Sequence, residues 1–210
     1  MPHSSTRQAD EHQPGGHPGH GHGHHHGVMH GFVVRPYDLV VGGVLMRGTY
    51  AAIAELLATT MPTDGTVIDI GTGPGRVPVL VGRRRHDLEV IGIDPSADML
   101  QRARKRAAGI ANVAFVEAGS EDLPLESNSV DAVISSLSSH HWADVKAAVA
   151  EQTRVLKFGG RLWLIDMNRH IADDLRATVA RAGLSLLDEP NPLPRGARRR
   201  FTVIAALKPG

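Results

Sequence analysis

Apolar positions along this chain follow two rhythms. Between residues 37 and 60, the run LVVGGVLMRGTYAAIAELLATT sets Leu45, Ile53, Leu56 and Leu57 at helical spacings, and MPTDG stops it. Beyond that point short, almost wholly apolar runs alternate with helical ones. The runs predict strands at 67–70, 89–93, 112–117, 130–135 and 161–167, with helices at 76–85, 96–108 and 143–156 between them. Apolar strands separated by helices predict an α/β fold with a parallel sheet covered on both faces. A further helix at 173–182 precedes strands at 184–187 and 201–207. The segment joining those two strands, EPNPLPRGARRR, is too short for a crossover helix, so they predict an antiparallel hairpin at the end of the sheet.

Residues 1–31 share neither rhythm. Nine of the 13 histidines fall there (His3, His12, His17, His20, His22, His24, His25, His26 and His30), among Gly, Pro, Ser and Gln. With almost nothing apolar to bury, the segment is expected to be a disordered tail. Imidazoles suit Ni(II) and Zn(II), so a non-catalytic metal affinity is one expectation for it and a passive tail the other. The folded domain is then 32–210, with the helical segment at 37–60 as an N-terminal lid. Its core must be mostly Val, Leu, Ile and Ala, since aromatics make up only 4 % of the chain. A net charge of +1 is too balanced to indicate a nucleic-acid or membrane partner. The absence of cysteine excludes disulfides, thiolate zinc sites and a cysteine nucleophile. No segment approaches the ~18 apolar residues of a bilayer span, and no apolar secretory signal is visible, so a cytoplasmic location is expected.

The chemistry concentrates at VIDIGTGPGRVPVL, a strand running into a glycine-rich turn and a helix. In an open α/β sheet the ligand sits beyond the carboxyl ends of the strands at the switch point, where this turn lies. Gly71, Gly73 and Gly75 let backbone approach a nucleotide-like ligand. Asp94, at the end of the second strand, can accept from both hydroxyls of a ribose. That spacing fits a dinucleotide and S-adenosylmethionine (SAM) equally. The loop itself separates them: G-x-G-x-x-G would need glycine where Arg76 stands, and the G-K-[ST] of a phosphate-binding loop is absent. Asp69, a carboxylate inside the strand, suits the cationic methionine end of SAM.

On these residues the chain resembles the class I SAM-dependent methyltransferases, specifically their small-molecule group, from about residue 37 to 209. VIDIGTGPG is similar to their first motif and VIGIDPSADML to their second. FVEAGSEDLPLESNSVDAVISS is similar to their third-to-fourth-strand segment, and VLKFGGRLWLID to the approach to their fifth strand. The resemblance implies a Rossmann-like seven-stranded sheet of order 3-2-1-4-5-7-6. It implies SAM as cofactor, with S-adenosylhomocysteine as product. Asp69, Gly71, Thr72, Gly73 and Gly75 would surround the methionyl part; Asp94 would take the ribose, with Pro95 and Met99 by the adenine. Ser120, Glu121 and Asp122 would flank the adenine edge and Ser136 the methionyl group. This chain departs from the pattern at Gly119, where many relatives carry the Asp that meets the adenine amino group, and at Phe158, where relatives have proline.

After the fourth strand, SSLSSHHW faces the reacting centre, so His140 or His141 is a candidate general base. The resemblance therefore implies methyl transfer to an O, N, S or C nucleophile of a small molecule. The alternatives are a SAM-binding or metal-responsive protein without methyl transfer, and an NAD-dependent oxidoreductase, against which Arg76 argues. Three arginine clusters, Arg83–Arg85, Arg102–Arg106 and Arg198–Arg200, are expected to be solvated surface rather than a nucleic-acid patch.

Overall fold

The structure, a computed structural model, describes residues 46–168 and 173–210. Helix α1 (Arg47–Thr60) leads into β1 (Thr66–Ile70), α2 (Arg76–Arg84), β2 (Glu89–Asp94), α3 (Ala97–Arg106) and β3 (Val113–Glu117). Strand β4 (Val130–Ser136) follows, then a short 3₁₀ turn (Ser139–His141), α4 (Val145–Val155), β5 (Leu156–Met167) and α5 (Asp173–Arg181). The chain closes with β6 (Ser185–Leu187), α6 (Arg195–Arg198) and β7 (Phe201–Leu207). The seven strands order as β3-β2-β1-β4-β5-β7-β6, parallel except for β7, which runs antiparallel to both β5 and β6. This is the Rossmann-like order expected, and it makes β1 the switch point, flanked by β2 and β4.

Apolar strands have to be covered on both faces, and two clusters do this. Val67, Ile134, Trp163 and Ala205 pack against α1 and α2; Ile68, Ile70, Val133, Leu162 and Leu164 pack against α4 and α5. Ile53 and Leu57 of α1 are fully buried, which contributes roughly 2 kcal/mol each. The second half of the expected lid is therefore core; its first part, residues 37–45, lies outside the described residues, as does the histidine-rich tail. Side chains start two helices where the sequence places cap residues. Ser96 accepts from Met99 N at 3.4 Å, and Asp144 accepts from Lys146 N and Ala147 N at 2.8 and 3.0 Å.

The elements differ from expectation in three places. Strand β5 starts at Leu156, whose pairing with Val130 precedes a bulge, whereas the expected helix ran to residue 156 and the expected strand began only at 161. The β6–β7 connection contains a single helical turn after Pro194, yet the hairpin remains antiparallel. Arg85 is not solvated surface. Its guanidinium donates to Ala58 O (2.7 Å), Met61 O (3.3 Å) and Pro62 O (3.2 Å), and grips Asp87 with two bonds at 2.8 and 2.6 Å. Those carbonyls lie at and beyond the end of α1, where backbone acceptors are unsatisfied, so Arg85 clamps α1 to α2. The same bonds hold the Asp87 carboxyl down, at about 2.

Candidate active site

The β1–α2 loop owes its shape to three left-handed glycines, at φ of 68° (Gly71), 53° (Gly73) and 71° (Gly75). Each is confined differently. A Cβ on Gly71 would collide with the side chain of Ser138, and one on Gly75 would lie 2.8 Å from Ala103 Cβ and Phe115 Cζ. At Gly73 a Cβ would meet no heavy atom within 4 Å. Gly71 and Gly75 are thus glycines for protein packing, while Gly73 lines open space above the sheet. The amides of Gly71 and Thr72 both donate to Ile93 O, at 2.8 and 3.0 Å, which fastens the loop to the end of β2.

Two buried carboxylates flank that opening. Asp94 accepts from Gly73 N (2.8 Å) on one oxygen and from Ser96 N (2.9 Å) on the other. Each oxygen keeps a second lone pair, so the group can shape the loop and still accept from a diol. Burial pushes its carboxyl above the usual range, against the pull of those two amides. Asp69 is 2 % exposed and accepts a single bond, from Thr72 Oγ1 at 2.7 Å; its Oδ1 has no partner among the described residues. Burial raises its carboxyl to about 7; the Thr72 bond opposes this and the nearby Asp94 adds to it. An unsatisfied buried oxygen costs about 1–3 kcal/mol, so a cationic or donor group beside it would be favoured.

The other sequence-derived positions distribute around this centre. Pro95 is exposed, while Met99 and Ser120 are buried. Glu121 accepts from Ala143 N (2.9 Å) and Asp144 N (3.3 Å), tying the β3–β4 connection to the start of α4; Asp122 is exposed. A side chain on Gly119 would lie 3.2 Å from Glu121 Oε2, so an Asp there would crowd a like charge. Ser136 ends β4 beside Ile165 and is half-buried. A cavity of about 300 Å³ lies elsewhere, beneath the β6–β7 connection, bordered by Leu56, Trp163, Arg176, Leu187 and Glu189; no glycine-loop residue lines it.

Beyond β4 the backbone turns sharply at Leu137 (φ 58°) and enters the 3₁₀ turn carrying both candidate histidines. Asp166, fully buried near the end of β5, collects the donors of that turn. It accepts from Ser139 Oγ (2.5 Å), His140 N (3.3 Å) and Met167 N (2.8 Å), and its oxygens lie 2.9 and 3.1 Å from His140 Nδ1. His140 is largely enclosed, its side chain 18 % exposed; His141 is exposed, its ring 4.0 Å from that of His140. Sequence reasoning did not single out Asp166. The signal was available in the terminal Asp of the strand segment RLWLID, at the carboxyl end of the neighbour to β4.

Among the described residues, no cluster of His, Cys, Asp and Glu could hold a metal ion, and no helix is long and apolar enough to cross a membrane.

Residues 68–164, which contain the glycine loop, both carboxylates and the histidine turn, match the methyltransferase domain family. With the sheet order, the match supports a class I SAM-dependent methyltransferase over these residues. Its curated relatives include an uncharacterized methyltransferase of Bacillus subtilis, YcgJ, 36 % identical over 102 residues, 48 % of this chain and 40 % of that protein. The demethylmenaquinone methyltransferase of Thermotoga maritima is 31 % identical over 115 residues, 55 % of this chain and 48 % of that protein. The chain spans about half the length of the curated relatives it matches. A putative SAM-dependent methyltransferase of Methanococcus maripaludis shares the fold, with a TM-score of 0.71, 22 % identity and coverage of 84 % of this chain and 92 % of that one.

Proposed function

We propose that this protein binds SAM in the β1–α2 cradle and transfers its methyl group to a small-molecule nucleophile, releasing S-adenosylhomocysteine. The observation that carries the reading is the opening at Gly73, flanked by two buried carboxylates of which one is tied into the loop and the other keeps an unsatisfied oxygen. Asp94 would take the ribose diol, Asp69 the cationic methionyl end, and Met99 and Ser120 the adenine surroundings. A bound sulfonium supplies an already activated methyl group. The protein's work is then to exclude water and align the acceptor in line with the carbon–sulfur bond. That is consistent with a site in which, among the described residues, a histidine pair is present and no nucleophilic triad is assembled.

Calorimetric titration with SAM, S-adenosylhomocysteine and NAD tests the cofactor assignment. Wild-type protein is expected to bind the first two and not NAD; NAD binding without SAM binding would overturn it. Asp94→Ala should weaken SAM by roughly 10- to 100-fold, the loss of charge-assisted hydrogen bonds worth about 1.5–3 kcal/mol. Because Asp94 also holds Gly73 N, Asp94→Asn is the needed companion: it keeps one acceptor for the loop and should lose less.

A further inference from the structure

We propose that the cavity beneath the β6–β7 connection is a second ligand site, which takes a zwitterionic α-amino acid with a compact apolar side chain. The site does not depend on the methyl-transfer reading above. Its opening follows from the sequence. Strand β6 stops after Leu187, and the EPNPLP that begins two residues later cannot extend it, because Pro190, Pro192 and Pro194 have no N–H to give to a ladder. Strand β7 therefore pairs with β6 only over residues 205–207, while it pairs with β5 from Phe201 onward. The connection leaves the sheet and is held elsewhere. Arg161 Nη1 donates to Glu189 at 2.6 Å, and the amide of Leu193, a fully buried residue, donates to Asn191 Oδ1 at 2.9 Å. Between the connection and the sheet lies the cavity of about 300 Å³, at the small end of ligand pockets.

Its lining has two chemically different parts. The apolar part is Trp163, itself 1 % exposed, with Val203 and Ala205 of β7, Leu187 of β6 and Leu56 of α1. Ala205 is in register with both Trp163 and Leu187, so the smallest side chain of the three stands between two large ones and leaves room. The charged part is Arg176, Asp188 and Glu189. Glu189 is already paired with Arg161, which also lies over the Trp163 ring at 5.9 Å. Asp188 has no hydrogen bond or ion pair among the described residues, and the one bond of Arg176 among them is a long one, to Val203 O at 3.5 Å. One anion and one cation thus remain for a ligand, beside an apolar floor. An ammonium answers Asp188, a carboxylate answers the planar guanidinium of Arg176, and an apolar body covers Trp163. Those three groups on one carbon are an α-amino acid. An aliphatic amine or a fatty acid answers only one of the two charges.

Calorimetric titration of the full chain with leucine, at low ionic strength, tests the site. Isoamylamine and isocaproate serve as the two halves of the zwitterion, and free glycine as the zwitterion without an apolar body. Wild-type protein should bind leucine saturably and about tenfold or more tighter than any of the three. Arg176→Gln and Asp188→Asn replace exposed side chains, and each should weaken leucine by about fivefold or more. Arg176→Gln should also erase the advantage of leucine over isoamylamine, and Asp188→Asn its advantage over isocaproate. Saturating S-adenosylhomocysteine should leave the leucine affinity unchanged, since no glycine-loop residue lines the cavity. In Trp142→Phe protein, Trp163 is the sole indole of the chain, and its fluorescence should shift as leucine binds. Absence of saturable leucine binding by wild-type protein would overturn the proposal, as would equal binding of either half-molecule or an unchanged affinity in either charge variant. Competition by S-adenosylhomocysteine would place leucine in the glycine-loop cradle, and a silent Trp163 with intact binding would place it away from the cavity; both refute the site. If Trp142→Phe does not fold, the calorimetry decides. Failure of S-adenosylhomocysteine to bind at all would count against the methyl-transfer reading and leave the leucine result standing.

Discussion

Asp69 makes the pH dependence of stability a direct probe of the cradle. Its carboxyl sits at about 7 in the folded protein because burial opposes its charge, against 3.8 when exposed. The sign follows from proton binding: between those values the folded state holds the proton and the unfolded state does not. The contribution of Asp69 is therefore greatest at low pH and is lost as pH rises through about 7, where the native carboxylate must ionise in a dry site. From pH ~5 to pH ~8 that loss is about 3 kcal/mol. Asp69→Asn keeps an acceptor for Thr72 Oγ1 and cannot ionise. Urea denaturation of both proteins at the two pH values should show Asp69→Asn gaining about 3 kcal/mol on wild type as pH rises. Working from the difference cancels the titrating groups that do not interact with Asp69; Asp94, whose raised carboxyl acts in the same direction, is coupled to Asp69 and contributes to the difference. A difference that stays constant with pH would mean Asp69 is ionised throughout and would refute the dry-cradle picture.

The glycines of the loop should separate packing from ligand space. Gly73→Ala should cost only the left-handed strain of about 1–2 kcal/mol yet weaken SAM binding in calorimetry, whereas Gly75→Ala, which meets Ala103 and Phe115, should destabilise the apo protein more. Equal losses of stability would count against Gly73 lining open space. Arg85→Ala should lower the urea midpoint more than Arg83→Ala, because only Arg85 reaches the end of α1. Arg85→Lys should not restore it, since an ammonium cannot reproduce the paired bonds to Asp87.

The sheet was legible in the sequence because its strands are nearly all apolar and each is followed by a helical run, a pattern that parallel pairing demands. The glycine loop and Asp94 were legible because their spacing is local to one β–α–β unit. Contacts between distant segments were not. Arg85 belongs to an exposed-looking arginine run, and its carbonyl partners lie 23 to 27 residues earlier. Asp166 sits 26 residues beyond His140. The sequence marks it only as a polar residue ending an apolar strand, where a capping or solvated role reads equally well. For the same reason HH alone does not reveal that His140 lies against a buried carboxylate. That contact comes from β4 and β5 lying side by side, with Ser136 in register with Ile165.

That neighbour relation has a further consequence at Gly71. The Ser138 side chain occupies the space a Cβ would need there, bonding Ile70 O at 3.0 Å and Ser135 Oγ at 2.5 Å. Gly71→Ala must therefore push the 137–141 turn away from the cradle, moving His140 relative to the glycine loop. Ser138→Gly removes both colliding atoms and should relieve this, leaving the strain of an alanine at φ 68°, about 1–2 kcal/mol. The double variant should then be more stable than the sum of the single effects by about 1 kcal/mol or more, the coupling expected of residues in contact. The His140 signals in its ¹H–¹⁵N spectrum should return toward those of wild type. Strict additivity, with His140 unmoved in Gly71→Ala, would mean that the cradle and the histidine turn are mechanically independent, and the first glycine would then serve the loop alone.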